Sequence, residues 1–403
     1  MVNEGGKFSE ASADVSGGAT SKGLVTSAIW SDFDGDGWID LILTLEWGPV
    51  AFFKNNEGKL VDATVDSGVH KNTGWWHGIA AGDLDADGDI DYVVTNQGTN
   101  TKYHTSPEHP HRLYYDDFDK NGTLDLVEAE FEGETEYPVR GRSCSSRCMP
   151  FIADKFQTFH DFSKASLSDI YETDEKEAPF LEVTMLETVV LWNDGEGFFE
   201  AKPLGYLAQS SPAYGAAIAD FDGDSKLDVF LANNFFGSQP ETGYMDGGLS
   251  LLLKGNGDQT FEELWPKQSG LALSGDSNGV AVADFDSDGD LDTFVAVNNE
   301  PLEILRNESE PGATCKLELA DRSGNRNPIG ASVLLEGSFG KQRFETYAGG
   351  SYLSQSSVEL RISAQRFEAL EKITVTWPDG TKTSHEPKES KDGVMLLEQR
   401  KTL

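Results

Sequence analysis

The chain has 403 residues, 69 of them acidic and 32 basic, which gives a formal net charge of −37. Such a charge excludes nucleic acid as a partner, disfavours anionic membrane surfaces and predicts an affinity for cations. With 10% aromatic residues and 42 glycines, the composition indicates a folded, turn-rich chain of more than one domain, and not an acidic disordered one.

The first residues, MVNEGGKFSE, lack the apolar stretch of a signal peptide, so we expect either a processed start or a fragment of a longer chain. No run of about 18 apolar residues predicts a transmembrane helix. The stretch GKFSEASADVSG is similar to the last strand of a four-stranded unit whose first strands are not upstream. Two explanations stay open: this strand closes a ring with the last such unit of the chain, or the chain is truncated.

A nine-residue acidic string occurs five times and defines loops 1 to 5. The strings are DFDGDGWID, DLDADGDID, DFDKNGTLD, DFDGDSKLD and DFDSDGDLD, which begin at Asp32, Asp83, Asp117, Asp220 and Asp284. Every copy has an acidic or amide residue at positions 1, 3, 5 and 9, and Ile or Leu at position 8. Glycine, which allows a sharp turn, occupies position 6 in four copies, whereas loop 4 has Ser225 there and should be slightly strained.

This spacing of oxygen donors suits a hard cation. Ca²⁺ takes about six to eight oxygens, and a tight loop can direct side chains 1, 3, 5 and 9 and the backbone carbonyl of position 7 to one ion. We therefore predict up to five Ca²⁺ ions, and Asn121 lowers the charge of loop 3. The predicted metal ligands are Asp32, Asp34, Asp36, Trp38, Asp40, Asp83, Asp85, Asp87, Asp89, Asp91, Asp117, Asp119, Asn121, Thr123, Asp125, Asp220, Asp222, Asp224, Lys226, Asp228, Asp284, Asp286, Asp288, Asp290 and Asp292.

Strand-like segments flank each loop, such as TSAIW before loop 1 and DLILTL at its end. An EF-hand would need flanking helices and a glutamate at position 12, which only Glu128 of loop 3 provides. A hairpin pattern follows in FFKNNEGKL, VLWNDGEGFF and LLLKGNGDQTF, so each unit has about four strands, as in one blade of a β-propeller. The predicted fold class is all-β, a propeller of five to seven blades.

These units resemble the FG-GAP/VCBS repeats, the Ca²⁺-loop blades also found in the integrin α-subunit head, over roughly residues 24–308. The resemblance implies seven blades, so one or two are unaccounted for. The long interval between loops 3 and 4 holds a degenerate blade or an insertion, and MPFIADKFQTFHDFSKASLSDIYE has apolar residues near helical spacing. We predict a propeller domain over residues 1–310 with a helical insertion at about 130–188, which either covers a blade edge or binds a partner.

After residue 310 the acidic loops stop and alternating strand patterns begin, such as CKLELADRSG and KITVTWPDGT. The stretches NPIGASVLL, GGSYLSQSS and ITVTWPDG resemble the ASPIC/UnbV domain. That domain follows FG-GAP blades in cartilage acidic protein-like chains and in many bacterial surface or secreted proteins. We predict a small β domain over residues 311–403, and the resemblance implies its architecture more than any activity.

A cluster of histidines lies in the stretch KYHTSPEHPHRL. His104, Glu108, His109 and His111 could hold a transition metal. The prolines between them prevent a helix from setting the spacing, so the pattern favours a polar rim loop.

Two cysteines and three tryptophans are further candidates. Cys144 and Cys148 could form a small disulfide loop, and a zinc site is less favoured because further ligands are lacking nearby. Trp47, Trp75 and Trp76 could stack on sugars, although aromatic residues at blade ends more often pack.

The leading hypothesis is a calcium-binding, non-catalytic recognition or adhesion module, extracellular or at the cell surface, with mainly structural ions. Its partner would be an extracellular protein or a glycan of unknown identity. No catalytic residue is predicted, because no nucleophile set or phosphate-binding loop has a recognisable context. The alternatives are a polysaccharide-binding lectin or polysaccharide-active enzyme that uses the propeller face, and a passive structural module of a longer surface protein.

Overall fold

The structure, a computed structural model, describes residues 2–171, 178–240, 242–309, 314–388 and 393–399. The predicted all-β class is confirmed, because the described residues form eight sheets joined by short helices. None of these helices is long and apolar enough to cross a membrane.

The described chain begins with a two-stranded sheet. Strands β1 (Val2–Glu4) and β2 (Lys7–Ser9) pair with each other, and helix α1 (Ala13–Ser16) and a 3₁₀ turn (Ala19–Ser21) follow. Helix α1 ends at Gly17, whose φ of 58° is left-handed, and any Cβ there would clash with the carbonyl of Leu60. Within the described residues β2 pairs only with β1, so the ring-closure explanation is wrong for this strand.

Sheet A carries loop 1 between its first two strands. Its strands are β3 (Leu24–Ser31), β4 (Asp40–Pro49), β5 (Ala51–Asn56), β6 (Lys59–Asp62) and β7 (Thr73–Trp75). Alternation along β4 places Ile42 in the largest core cluster and Leu43 on the opposite face. Ala19 packs against that opposite face, so the N-terminal segment helps to bury it.

Sheet B carries loop 2 and is interrupted in sequence. Its strands are β8 (Ile79–Gly82), β9 (Asp91–Val94), β14 (Val189–Asn193) and β15 (Phe199–Pro203). Strand β9 pairs directly with β14, with Tyr92 opposite Leu191. Residues 95–188 are therefore inserted between two neighbouring strands of one sheet.

This insertion has a sheet and four helices of its own. The strands are β10 (His111–Asp116), β11 (Asp125–Glu132), β12 (Thr135–Pro138) and β13 (Phe180–Val183), and the helices are α2 (Arg142–Cys148), α3 (Phe151–Lys155), α4 (Phe159–Phe162) and α5 (Leu167–Tyr171). Ile152 and Leu167 of the helices pack against Tyr114 and Val127, so the helices bury one face of the inserted sheet.

The observed insertion corrects the predicted one of about residues 130–188. It starts near residue 95 and contains loop 3, which joins β10 to β11. The physical reason is that β13 returns to pair with β10, so the sheet around loop 3 closes on itself instead of continuing the row of sheets. Residues 172–177 of the predicted insertion lie outside the described residues.

Sheets C and D carry loops 4 and 5. Sheet C contains β16 (Ala213–Ala219), β17 (Asp228–Asn233), β18 (Leu251–Gly255) and β19 (Phe261–Leu264), after a 3₁₀ turn (Leu207–Gln209). Sheet D contains β20 (Ser277–Ala283), β21 (Asp292–Val297) and β22 (Glu303–Leu305), after helix α6 (Pro266–Ser269). The first strands of the four sheets contact one another in the order β3, β8, β16, β20, so sheets A to D stand side by side.

The C-terminal domain consists of two sheets around a core that includes the buried Trp377. Its elements are β23 (Thr314–Ala320), β24 (Ser332–Gly337), β25 (Gly340–Glu345), β26 (Leu360–Ser363), α7 (Ala364–Glu368), β27 (Leu370–Thr376), β28 (Lys382–His385) and β29 (Val394–Glu398). The predicted boundary near residue 310 stays a prediction, because residues 310–313 lie outside the described part of the chain.

The segment after β25 runs along the first strands of sheets A, B and D. Gly349 forms a β-bridge with Ile29, and Ser351 forms one with Ile79. The backbone N–H of Ser357 donates to the carbonyl of Val282 at 3.0 Å. The C-terminal domain is therefore attached to three of the four neighbouring sheets by backbone contacts.

Candidate metal centres

The position-9 carboxylate ties each loop together. In all five loops its Oδ2 accepts the backbone N–H of position 2, at 2.9 to 3.3 Å. In loops 1, 2, 4 and 5 its Oδ1 also accepts a backbone N–H from the third strand of the sheet or, in loop 5, from two residues after that strand, at 2.7 to 3.0 Å. The four acceptors in these sheets are Asp40, Asp91, Asp228 and Asp292. Position 9, predicted as a ligand, is thus also a structural tether.

An asparagine at the end of the third strand links neighbouring sheets. Nδ2 of Asn193 donates to the carbonyls of Phe33 in loop 1 at 2.8 Å and of Ile90 in loop 2 at 3.0 Å. Asn307 repeats the pattern from sheet D to Phe221 of loop 4 at 2.8 Å. These asparagines were not among the predicted site residues, although the recurring KN, WN and RN pairs after an apolar run are a visible signal.

Positions 4 and 6 of every loop have a left-handed backbone. At position 6, φ is 93°, 101°, 88°, 73° and 105° in loops 1 to 5. The value of 73° belongs to Ser225, so the expected strain is present at that residue. Position 4 is also left-handed and is filled by Ala86, Lys120 and Ser287 in loops 2, 3 and 5, which the sequence pattern did not reveal.

These turns gather carboxylates. In each loop three of them have ligand atoms within 4.8 Å of one another and could hold a metal ion. The groups are Asp32, Asp34 and Asp36; Asp83, Asp85 and Asp91; Asp117, Asp119 and Asp125; Asp220, Asp222 and Asp228; and Asp284, Asp286 and Asp292. The other predicted positions, which are 5 in loops 2 to 5, 7 throughout and 9 in loop 1 (Asp40), are not in these groups, and their part in metal binding stays a prediction.

Buried oxygens without partners occur at four of the five loops. Among the described residues no hydrogen-bond partner is found for Oδ1 of Asp32, Asp220 and Asp284, all at position 1, or of Asp85 at position 3. In Asp32 and Asp220 the other oxygen, Oδ2, accepts the backbone N–H of position 6 at 3.0 and 2.9 Å. A buried carboxylate oxygen without a partner is costly, so these oxygens fit the first shell of a cation.

Burial raises the pKa of several loop carboxylates, because it disfavours their charged form. Together with the repulsion of neighbouring carboxylates, it raises the pKa of Asp40 and of Asp91 to about 8. It also raises the pKa of Asp83 and of Asp228 to about 7. An adjacent cation would favour the charged form and lower these values.

Three loops have a basic neighbour from their own sheet. Lys54 pairs with Asp34 and, at 3.1 Å, with Asp36. In the same way Lys254 pairs with Asp222 and Asp224 of loop 4, and Arg306 pairs with Asp286 and Asp288 of loop 5. These side chains contact positions 3 and 5 and leave the unpartnered oxygen of position 1 untouched.

The predicted histidine cluster is dispersed. His111 is fully buried, its Nε2 lies 3.0 Å from Oε1 of Glu128, and its ring stacks on Trp47. His109 lies 3.8 Å from Glu134, and His104 is exposed. Within the described residues, groups of three or more metal-ligand side chains occur only in the acidic loops, so the transition-metal alternative lacks a site.

Burial and position also decide the predictions for the two cysteines and the three tryptophans. Cys144 and Cys148 are free thiols one helical turn apart on α2, so the proposed disulfide is not formed. Trp75 and Trp76 are 8% and 1% exposed, and Trp47 packs edge-on against Trp75. Trp75 and Trp76 therefore offer no open face to a sugar ring.

Comparison with known proteins agrees with this organisation. The FG-GAP-like repeat family matches residues 32–94, which hold loops 1 and 2, and the ASPIC and UnbV family matches residues 321–403. Cartilage acidic protein 1 of Mus musculus is 30% identical over 179 residues, 43% of this chain and 27% of that protein. The Homo sapiens protein of the same name is 28% identical over 183 residues, 44% of this chain and 27% of that protein. These matches thus cover about a quarter of the relatives' length.

Two solved structures are similar at a low level. The Vibrio cholerae biofilm matrix protein Bap1 has 13% identity and a TM-score of 0.19, with coverage of 91% of this chain and 48% of that one. The intramolecular trans-sialidase of Ruminococcus gnavus has 11% identity and a TM-score of 0.33, with coverage of 91% and 94%. Scores this low carry no argument about the present chain. The chain carries an FG-GAP-like repeat and an ASPIC and UnbV domain and is similar to cartilage acidic protein 1, as its sequence motifs indicate.

Proposed function

We propose that this chain binds Ca²⁺ at its acidic loops and acts as a non-catalytic recognition or adhesion module outside the cytoplasm, with ions that are mainly structural. The observation that supports this most directly is the set of buried carboxylate oxygens without partners at four loops, each within a cluster of carboxylates. Deprotonated oxygens in this state are costly unless a cation fills the space between them.

The donor set favours a hard cation such as Ca²⁺ over softer metals. All candidate side-chain ligands are oxygens, and two oxygens at about 2.4 Å from one ion lie at most about 4.8 Å apart, as in the observed clusters. Softer metals prefer thiolate or imidazole ligands, which these clusters lack. Up to five ions are proposed, with loop 3 the weakest because Asn121 replaces a carboxylate there.

A structural role for the ions follows from where the loops lie. Each loop connects two paired strands, and the asparagine links of sheets B and D pass through the backbone of the loops. Ion binding that holds a loop in shape therefore stabilises the packing of neighbouring sheets, so part of the binding free energy is folding free energy.

The location and the partner rest on similarity. The support is the similarity to cartilage acidic protein 1, whose name refers to cartilage, together with the FG-GAP-like and ASPIC and UnbV matches of this chain. We propose an extracellular protein or glycan as the partner. The lectin or enzyme alternative is less well supported, because Trp75 and Trp76, two of the three tryptophans predicted to stack on sugars, are buried.

Calorimetric titration of the chelator-treated chain with Ca²⁺ tests the metal claim. We expect saturable binding and a higher melting temperature with Ca²⁺ than with EDTA, because a ligand of the folded state stabilises it. Mg²⁺, which demands a tighter octahedral shell, serves as the control ion. If the chain does not bind Ca²⁺ and has the same melting temperature in EDTA as in Ca²⁺, the proposal is wrong.

Recognition is tested separately by retention on immobilised extracellular matrix and on a glycan array, each with and without Ca²⁺. Ca²⁺-dependent retention on matrix supports the recognition module. Turnover of a polysaccharide would instead establish the enzyme alternative.

A further inference from the structure

Residues of the C-terminal domain bond to four of the five acidic loops. In loop 1, Oε1 of Glu345 accepts the backbone N–H of Asp32 at 3.3 Å, and Oε2 accepts the hydroxyl of the preceding Ser31 at 2.6 Å. In loop 2, the backbone N–H of Arg343 donates to Oδ2 of Asp83 at 2.7 Å. Both contacts are made at position 1.

Loops 4 and 5 are held in a related way. In loop 4, the hydroxyl of Ser363 bonds to that of Ser225, and the guanidinium of Arg366 donates to the Ser225 carbonyl at 2.5 Å. In loop 5, the hydroxyl of Thr314 donates to the Gly289 carbonyl at 2.6 Å, and the guanidinium of Arg361 pairs with Oδ2 of Asp284. The contacts at Ser225 and Gly289 fall on position 6, whose N–H bonds to position 1 in loops 1 to 4.

In loops 1, 4 and 5 these bonds leave one oxygen of the position-1 carboxylate free, whereas in loop 2 both oxygens of Asp83 accept backbone N–H groups. Arg361 takes Oδ2 of Asp284, and Oδ1 of the same carboxylate stays buried without a partner among the described residues. Asp32 and Asp220 show the same division, with the position-6 N–H on Oδ2 and no partner on Oδ1. Fixing one oxygen of a carboxylate orients the other, which is how outer-sphere contacts tune a metal site.

Loop 3 makes no hydrogen bond to the C-terminal domain among the described residues. Its position-1 carboxylate, Asp117, accepts the N–H groups of Asn121 and Gly122 on its two oxygens. Asp83 of loop 2 accepts the same two bonds from its own loop, but it also accepts the N–H of Arg343 from the C-terminal domain. The loop is largely exposed, and a Cβ added at Gly122 would meet no atom within 4 Å.

We infer that the C-terminal domain positions loops 1, 2, 4 and 5 for their cations, so that docking of this domain and ion binding at these loops stabilise each other, whereas loop 3 binds independently. This inference rests on the proposed Ca²⁺ binding. By linkage, any factor by which docking tightens ion binding is also the factor by which ions tighten docking.

Hydrogen exchange of the full chain provides the test. The reporter amides are Gly350, Ser351 and Ser357, which donate across the domain boundary to Ala28, Ile79 and Val282. Amides of strand β24, inside the C-terminal domain, report whether that domain itself stays folded. We expect exchange of the reporters to rise about 5- to 150-fold on passing from Ca²⁺ to EDTA, the usual range of coupling between two sites, with β24 still protected.

Two matched variants locate the effect. Asp222→Asn in loop 4 and Asp119→Asn in loop 3 make the same chemical change at position 3. In saturating Ca²⁺, Asp222→Asn should speed reporter exchange and Asp119→Asn should not. Equal effects of the two variants on reporter exchange would contradict the inference. If the chain binds Ca²⁺ by calorimetry but reporter exchange is unchanged in EDTA, the inference is also wrong, whereas the proposed function is still supported. A chain that binds no Ca²⁺ removes both.

Discussion

The Ser31 hydroxyl at the end of β3 donates to the carboxylate of Glu345 in the C-terminal domain at 2.6 Å, and both side chains are buried. Burial raises the pKa of Glu345 to about 7. Glu345→Ala should destabilise the chain by about 1–3 kcal/mol, because Ser31 and the Asp32 N–H would be left without their acceptor. Glu345→Gln keeps an acceptor and should cost less. Urea denaturation of both variants in Ca²⁺ measures this, and equal losses would contradict the hydrogen-bond explanation.

Metal-free stability should fall as the pH rises. The pKa of Asp40 and of Asp91 is raised to about 8 in the folded chain, against about 4 when unfolded. The folded state therefore binds more protons at these two groups between pH 4 and pH 8, so their contribution to stability is full below pH 4 and is lost as the pH rises through 8. In EDTA the free energy of unfolding should drop between pH 5 and pH 8 by at least about 1.4 kcal/mol, the equivalent of one pKa unit of one group.

Saturating Ca²⁺ provides the contrast for this pH experiment. A cation favours the charged carboxylates, so the fall in stability should disappear or reverse when Ca²⁺ is present. Parallel pH profiles with and without Ca²⁺ would show that the ion does not contact these groups.

The asparagine that joins sheets A and B should matter more than its exposed counterpart. Asn193→Ala removes the bonds to the carbonyls of Phe33 and Ile90 and also the acceptor of the Gly195 N–H, and it should destabilise the chain by about 1–3 kcal/mol. The control is Asn256→Ala just after β18, where the exposed side chain bonds only to Thr260 among the described residues and the expected loss is below about 0.5 kcal/mol. Thermal or urea unfolding of the pair measures the difference, and equal losses would refute the link.

Local patterns account for what could be predicted from the sequence. The nine-residue acidic string locates all five loops, because the spacing of carboxylates within it is a local property of a tight turn. The strand alternation around each loop likewise predicts the β-sheet on either side. The left-handed residues Ala86, Lys120 and Ser287 escape such reasoning, because position 4 has no shared residue type.

Non-local pairing accounts for what could not be predicted. The strands around loop 3 have the same sequence pattern as those around the other loops. Local sequence therefore does not show that β9 pairs with β14, which follows the insertion. The contacts of Glu345 with Ser31 and of Arg343 with Asp83 join residues 314 and 260 positions apart. Only the folded chain reveals that the C-terminal domain reaches the loops.

The hydroxyl of Thr314 provides a direct probe of that reach. Thr314→Val keeps the shape of the side chain but removes its bond to the Gly289 carbonyl in loop 5. This bond and a bond from Arg361 together hold the Gly289 carbonyl, and Arg361 also donates to the Thr314 hydroxyl. Because the substitution weakens this hold on position 6, we expect Ca²⁺ affinity at one site to fall about 5-fold, at the low end of usual coupling factors. The control is Thr374→Val in β27, whose buried hydroxyl has no partner among the described residues, so its loss should leave Ca²⁺ binding unchanged. Calorimetric titration with Ca²⁺ compares the two variants. If both titrate like the unaltered chain, Thr314 does not position loop 5.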